Sequence, residues 1–270
     1  MKNFKLLSYL VYAMFFNTEC IFSQSTDDKA FLLCKYAETS VPDSNNRQKL
    51  NYDVMGLEIG KKLSRFYSIS NDEMIKTLEK QAKQNNSIDM SAINTPRNRR
   101  GKRRVIYKNY LDNNILNIEN LGMQVYKFEE ANPNFNWNIL TDTIQILNQS
   151  CQKATCSFRG REYEAWFSSK ISISEGPWKF NGLPGLILKI RDLKNDYAFE
   201  AISIEKINYI IDNPNTKAQK ISQEQFKVLT KQFSENPSAF LNNGESSFTL
   251  TTPSTNPPKR PQNPMELTEK

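Results

Sequence analysis

Cys151-Gln152-Lys153-Ala154-Thr155-Cys156-Ser157-Phe158-Arg159-Gly160-Arg161-Glu162-Tyr163-Glu164-Ala165-Trp166-Phe167-Ser168 reads as a β-hairpin, and that reading decides the fold class. From residue 161 to 174 the chain alternates, with Tyr163, Ala165, Phe167, Ile171 and Ile173 on one face and Glu162, Glu164, Ser168, Lys170, Ser172 and Ser174 on the other. A period of two with one polar face is the pattern of a half-buried antiparallel strand. Arg159-Gly160 falls where a two-residue hairpin turn needs positive φ, so Cys151 to Phe158 should pair with Tyr163 to Ile171. Working outward, Leu186, Leu188 and Ile190 alternate with Ile187, Lys189 and Arg191, and a turn at Lys194-Asn195-Asp196 leads into Tyr197, Phe199 and Ala201. There the apolar phase slips to Ile202 and Ile204, and Leu50, Tyr52 and Val54 likewise give way to Met55, Leu57 and Ile59. A slip of one residue marks a β-bulge, which bends a sheet, so both sites predict strong curvature.

Two helices interrupt the strands. Ser70 with Glu73 forms a capping box ahead of Met74, Ile75, Leu78 and Ala82, and Ser222 with Gln225 does the same ahead of Phe226, Leu229 and Phe233. Each has one apolar stripe and should lie on a surface or plug a concavity. The expected fold is mainly β (α+β): a strongly curved antiparallel sheet or half-barrel of about eight to ten strands with one or two packed helices. It resembles the periplasmic lipoprotein-carrier folds, an analogy of shape that carries no function. The domain division is a segment 1–23 removed on export, one curved β domain at 24–243, and a tail at 244–270. That tail holds five prolines among Ser, Thr and Asn, too little apolar area to fold.

Between the hairpin and the next strand lies Gly176-Pro177-Trp178-Lys179-Phe180-Asn181-Gly182-Leu183-Pro184-Gly185-Leu186-Ile187, which packs three of the nine glycines into ten residues. The run Gly-Leu-Pro-Gly-Leu-Ile resembles the signature of the GLPGLI family, exported bacterial proteins of unassigned role. Similar wording runs through Trp137-Asn138-Ile139, Asp142-Thr143-Ile144, Cys151 to Thr155, Phe158 to Arg161 and Ala165-Trp166-Phe167. Leu57 to Gly60 with Ser64 to Ser68 looks like the family's first hairpin, and Asn263-Pro264-Met265-Glu266-Leu267 like its usual ending. Cys156 and the basic run at 97–104 depart from the pattern.

Lys2 and Lys5 precede an apolar run from Leu6 to Phe16, with small residues at Ser23 and Ser25, the layout of a secretory signal peptide. Asn17, Thr18 and Glu19 end that run short of the twenty or so residues a membrane anchor needs, and Thr18-Glu19 before Cys20 argues against lipid attachment. The processed protein is expected to be exported, periplasmic or associated with the outer membrane, and not transmembrane. Its formal charge, +7 for the whole chain, becomes +6 once Lys2, Lys5 and Glu19 leave. In that compartment a mildly basic surface suits anionic headgroups, acidic glycans or an acidic envelope protein rather than nucleic acid. Cys34, Cys151 and Cys156 would remain, an odd count that leaves at least one free thiol. On a continuous strand Cys151 and Cys156 lie about 16 Å apart, so a bridge between them would need a turn or bulge, while Cys34 could pair with either one.

The chain has no histidine, which removes Ser-His-Asp and Cys-His catalysis and most zinc and copper sites. No metal or cofactor is expected. The glycine-rich window feeds a strand rather than a helix and contains no Gly-Lys-Ser/Thr, so it is not a phosphate loop. The expectation there is structural: Gly182 and Gly185 at positive φ around Pro184, with Trp178, Phe180 and Leu183 capping the core, and an aromatic-rimmed contact loop as the functional alternative. Glu162 and Glu164 have a spacing that could serve glycoside hydrolysis, but they more simply form the solvated face of their strand. Serine–lysine catalysis would draw on Ser168, Ser169 or Lys170. Arg97, Arg99, Arg100, Lys102, Arg103 and Arg104 repel one another and read as a solvated loop, with capture of an anionic surface as the functional alternative. The leading expectation is therefore a non-enzymatic cell-envelope binding or accessory protein. A carrier holding a hydrophobic or lipid ligand in the concave face is its rival, and a hydrolase comes third.

Overall fold

The computed structural model describes residues 28–85, 102–122, 124–212, 217–235 and 263–267. Their elements follow as β1 (Lys29–Ser40), β2 (Asn51–Ile59), β3 (Leu63–Ser68), α1 (Ile69–Asn85), β4 (Arg104–Asn109), β5 (Asn114–Leu121), β6 (Gln124–Ala131), β7 (Asn138–Ile146), β8 (Gln149–Phe158), β9 (Arg161–Ser168), β10 (Leu186–Asp192), β11 (Tyr197–Ile210), β12 (Gln219–Lys220) and α2 (Gln223–Glu235). All twelve strands join one sheet in the order β12-β6-β5-β4-β3-β2-β1-β11-β10-β9-β8-β7. The fold is mainly β, with an open sheet and two helices. Every pairing is antiparallel except the short parallel contact of β12 with β6. The hairpin of β8 and β9 forms as its sequence predicts, with Phe158 opposite Arg161 and positive φ at Arg159 (43°) and Gly160 (77°).

Curling of the sheet follows from one short connection. In the strand order β6 and β7 stand ten spacings apart, roughly 48 Å if the sheet were flat. Only residues 132–137 join them, and a chain of that length reaches about 25 Å at most. The sheet must therefore wrap round until its two edges approach, leaving a seam between them. Its inner face holds one continuous core. Cys34, Leu57, Phe66, Ile106 and Ile115 from one half pack in the same cluster as Cys156, Phe167, Ile190 and Phe199 from the other. Helix α2 lies against the inner face of β5 and β6, where Phe226 stacks on Phe128 with ring centroids 4.7 Å apart.

One of the two expected bulges is present. Lys35 pairs with Ser203 and Tyr36 with Ala201, which leaves Ile202 as the extra residue of β11. Ile204 then rejoins the inner face, whereas Ile202 turns outward and is 47% exposed. The expected bulge in β2 is absent: β1 and β2 pair without a shift from Ser40 with Asn51 to Leu32 with Ile59. Tyr52 and Val54 are apolar residues on the outer face, and apolar residues on both faces of a strand imitate a change of phase. Three irregularities the alternation did not reveal lie between Ala30 and Leu32 of β1 against β11, between Ile139 and Thr143 of β7, and at Leu188 of β10. The last buries Ile187 and Leu188 together.

Three boundaries also differ from expectation. β9 ends at Ser168, not Ile171, because the backbone there turns back to meet Gly185. Helix α1 starts at Ile69, with Ser68 Oγ accepting the Asn71 amide at 3.3 Å, so Ser68 is the cap and Ser70 is already helical. Residues 263–267 dock on the core, with Met265 buried, against the expectation of an unfolded tail from Gly244 on. The expected signal segment 1–23, and residues 244–262 of the expected tail, lie outside the described residues.

Candidate functional site

The segment 175–185, between β9 and β10, fills the interior of the curl. Trp178 is 2% exposed and Phe180 fully buried, each in a nest of rings. Phe180 lies 5.1 Å from Trp178, 4.8 Å from Tyr163 and 5.2 Å from Phe135 between ring centroids. Backbone shape makes this possible. Gly182 takes φ 90°, as expected, but the second left-handed residue is Trp178 at 54° rather than Gly185. Gly185 serves a different need: a Cβ there would meet the Ser168 carbonyl oxygen. Gly176 similarly lets the chain pass over Ile187, whose side chain would lie 2.8 Å from an added Cβ.

Strands on both sides of the curl hold this segment by its backbone. Lys108 Nζ, from β4, donates to the Gly176 and Phe180 carbonyls at 3.1 and 2.9 Å and pairs with Glu175 at 2.5 Å. Trp137 Nε1 donates to Asn181 O at 2.8 Å, and just past the segment Tyr36 Oη donates to Ile187 O of β10 at 2.8 Å. Lys108 is 1% exposed, and burial pulls its ammonium pKa down against the pull of Glu175. Trp178, Phe180, Leu183 and Gly185 are therefore inner-face packing, and only Gly182 and Pro184 of the six loop residues reach solvent. An aromatic contact rim does not form.

Across the seam, side chains do what hydrogen-bonded strands do elsewhere in the sheet. Glu130 of β6 receives Lys179 Nζ, Arg159 Nη2 at 3.0 Å, Asn117 Nδ2 at 2.7 Å and Gln223 Nε2 at 3.0 Å. Glu266 pairs with the same Lys179 at 2.5 Å and with Arg159. Burial penalises the Glu266 carboxylate, yet Lys179 and Arg159 hold its pKa below the ordinary carboxylate range. Beside it, Arg161 Nη1 binds Asp192 at 3.1 Å and Asp196 at 2.8 Å, while Nη2 reaches Asn263 Oδ1 and Pro264 O, both at 2.7 Å. Sequence reasoning passed over these residues. Their signal was available: Lys108, Glu130 and Arg161 occupy the same alternating positions as the apolar Ile106, Phe128 and Tyr163.

The basic run is partly tied down. Arg104 opens β4 and meets Glu119 with two contacts, 2.9 and 3.0 Å. Lys102 pairs with Glu38, and its amide donates to Asp53 Oδ2 at 2.8 Å. Of the described members only Arg103 is free in solvent, so a loop of six like charges is not what these three form. Arg97, Arg99 and Arg100 lie outside the described residues.

Neither Glu164 nor Ser168 is arranged for the chemistry considered from the sequence. Glu164 is partly desolvated but clasped by Lys153 at 2.7 Å and Arg191 at 3.2 Å, which lower its pKa, the wrong direction for a general acid. Ser168 is fully buried. Ser-x-x-Lys occurs at Ser150–Lys153 and Ser203–Lys206, but both lie in strands, where an offset of three places the two side chains on opposite faces. The three described cysteines are buried free thiols. Burial pushes them up to about 12 at Cys34, about 11 at Cys151 and about 12 at Cys156, so thiolate is scarce at neutral pH. Among the described residues no group of three or more carboxylates or thiols is placed to hold a metal ion. Nor is any helix among them long and apolar enough to cross a membrane.

A family described as "Protein of unknown function (Porph_ging)" matches residues 159–189, the stretch from the β8–β9 turn through the buried loop into β10. No curated protein matches. Among solved structures the chain is similar to PNGF-II in its C2 crystal form, with TM-score 0.52 and 16% identity over 76% of this chain and 33% of that one. The P21 form of PNGF-II gives TM-score 0.50 and 15% identity over 76% and 34%. The chain thus spans about a third of the length of those structures, and at this identity the likeness is one of fold.

Proposed function

We propose that this chain is an exported cell-envelope protein of the GLPGLI family that binds a partner through the outside of its sheet and catalyses no reaction. The observation that carries this reading is the filled interior. Trp178, Phe180 and Leu183 occupy the space that a carrier would keep for a lipid, and Lys108 clamps the loop that bears them. Binding then falls to outer surfaces. Tyr52 (57% exposed) and Val54 (40%) on β2 and Ile202 (47%) on β11 stand on the outer face on either side of β1, where Ala37 pairs with Val54. Exposed aromatic and branched side chains clustered on a rigid sheet supply contact area at low entropic cost.

A photo-crosslinking residue at position 52, with a second variant carrying it at surface position Glu162, tests the reading in the source cells. Crosslinks to one envelope protein from position 52 and not from 162 are expected. Equal or no crosslinking from the two positions, or a lipid that co-purifies in native mass spectrometry, would overturn it.

A further inference from the structure

Segment 263–267 touches the curled sheet as a bound peptide does. It is not a strand of the sheet, and its backbone is read mostly by side chains. Arg161 donates to Pro264 O from Nε at 3.2 Å and Nη2 at 2.7 Å, Tyr163 Oη to Met265 O at 3.2 Å, and Tyr197 Oη to Asn263 O. Leu267 N adds one backbone bond to Arg159 O at 3.0 Å. Side-chain selectivity comes from three positions. Asn263 donates to Val41 O at 2.9 Å and accepts from Arg161, Met265 is buried in the core, and Glu266 meets Lys179 and Arg159.

The receiving groups are held in place by partners of their own. Asp192 and Asp196 fix Arg161, and Glu130 fixes both Lys179 and Arg159. A cradle organised in advance binds without ordering its own side chains, which is what distinguishes a site from a core that forms only with its contents. Arg161 Nη2 and Nε, in contrast, have partners only in segment 263–267 among the described residues, and buried donors left bare are costly. They call for a ligand rich in carbonyl oxygens.

We infer that this cradle is a recognition site for an extended peptide of the pattern Asn-x-apolar-acidic, occupied here in cis by Asn263–Leu267. In sequence, 27 residues separate Glu235 of α2 from Asn263, so the bound segment is covalently attached to the domain it docks on. Such a link supplies a high effective concentration and hides an intrinsic affinity that cutting it would expose. The inference stands apart from the outer-surface reading: either can fail alone.

The test uses the folded full chain with a specific protease site placed between residues 236 and 262. After cutting, a dye on the released fragment reports its exchange against a synthetic peptide of residues 258–270. Displacement by the native peptide is expected under conditions where the sheet's circular dichroism is unchanged. The Asn263→Ala peptide should need about ten times more for the same displacement, since two buried hydrogen bonds are lost. Retention until the sheet unfolds would make the segment an integral part of the core and overturn the inference. So would equal displacement by a scrambled peptide, or loss of the fragment on cutting with no rebinding of the added peptide.

Discussion

Lys108 shows how much one side chain decides in this protein. It occupies an inner position of β4, where alternation expects an apolar residue, and spends its charge on Glu175 and its remaining protons on the Gly176 and Phe180 carbonyls. Removing one member of a buried pair strands the other, at a cost of about 3–5 kcal/mol. Lys108→Met is therefore expected to lower stability by that amount in urea titration, and adding Glu175→Gln to recover part of it. A loss below 1 kcal/mol would mean that the aromatic packing holds the loop unaided. The sequence showed Lys108 in phase with Ile106, but its partners are 67 and more residues away, and no local pattern names them. Gly185 teaches the same lesson: its need is proximity to Ser168, a tertiary fact, whereas Gly182 needs a backbone angle that turn chemistry foretells.

At the scale of elements, the parts governed by neighbours in sequence were the most legible. The β8–β9 hairpin follows from Arg159-Gly160, and α2 from its capping box. Gln225 N donates to Ser222 Oγ at 3.1 Å, and Ser222 N to Gln225 Oε1 at 2.8 Å. Ser222→Ala should cost about 1 kcal/mol. Because α2 packs mainly through Phe226, Leu229 and Phe233, that loss should appear as roughly fivefold faster amide exchange in its first turn, with the sheet's exchange unchanged. Unchanged exchange at Gln225 and Phe226 would show that packing alone sets the helix. Helix α1 was misplaced by two residues because Ser68 and Ser70 offer equivalent hydroxyls, and Ser70 is instead drawn to Ser68 and Asp53. β2 was misread because Tyr52 and Val54 look like core residues and are not.

For the whole molecule, the seam is the point where shape and charge meet. Among the described residues its two sides do not hydrogen-bond as strands; Glu130 of β6 instead pairs with Arg159 of the β8–β9 turn and Lys179 of the buried loop, and Glu266 adds a second carboxylate to both cations. Folded Glu266 has a lowered pKa despite burial, as do Glu164 and Asp196, held down by their own Lys and Arg partners. Their contribution is complete above the unfolded carboxylate values of about 4 and is lost as pH falls through the lowered folded values. The melting temperature is expected to hold from neutral pH to about 5 and to fall below about 4. Glu266→Gln should lower it at neutral pH and make the acid fall shallower. A parallel acid curve for wild type and variant would place the acid-sensitive groups elsewhere.

The sequence by itself determined strand type, the hairpin, the cap of α2 and the bulge near Ile202, because alternation and turn chemistry are written within a few residues of where they act. Tertiary structure alone decided that a six-residue connection draws β6 and β7 together, that the Gly-Pro loop fills the resulting hollow, and that segment 263–267 docks beside it. Those outcomes depend on pairings between residues far apart in the chain, whose free energy exists only once the sheet has curled.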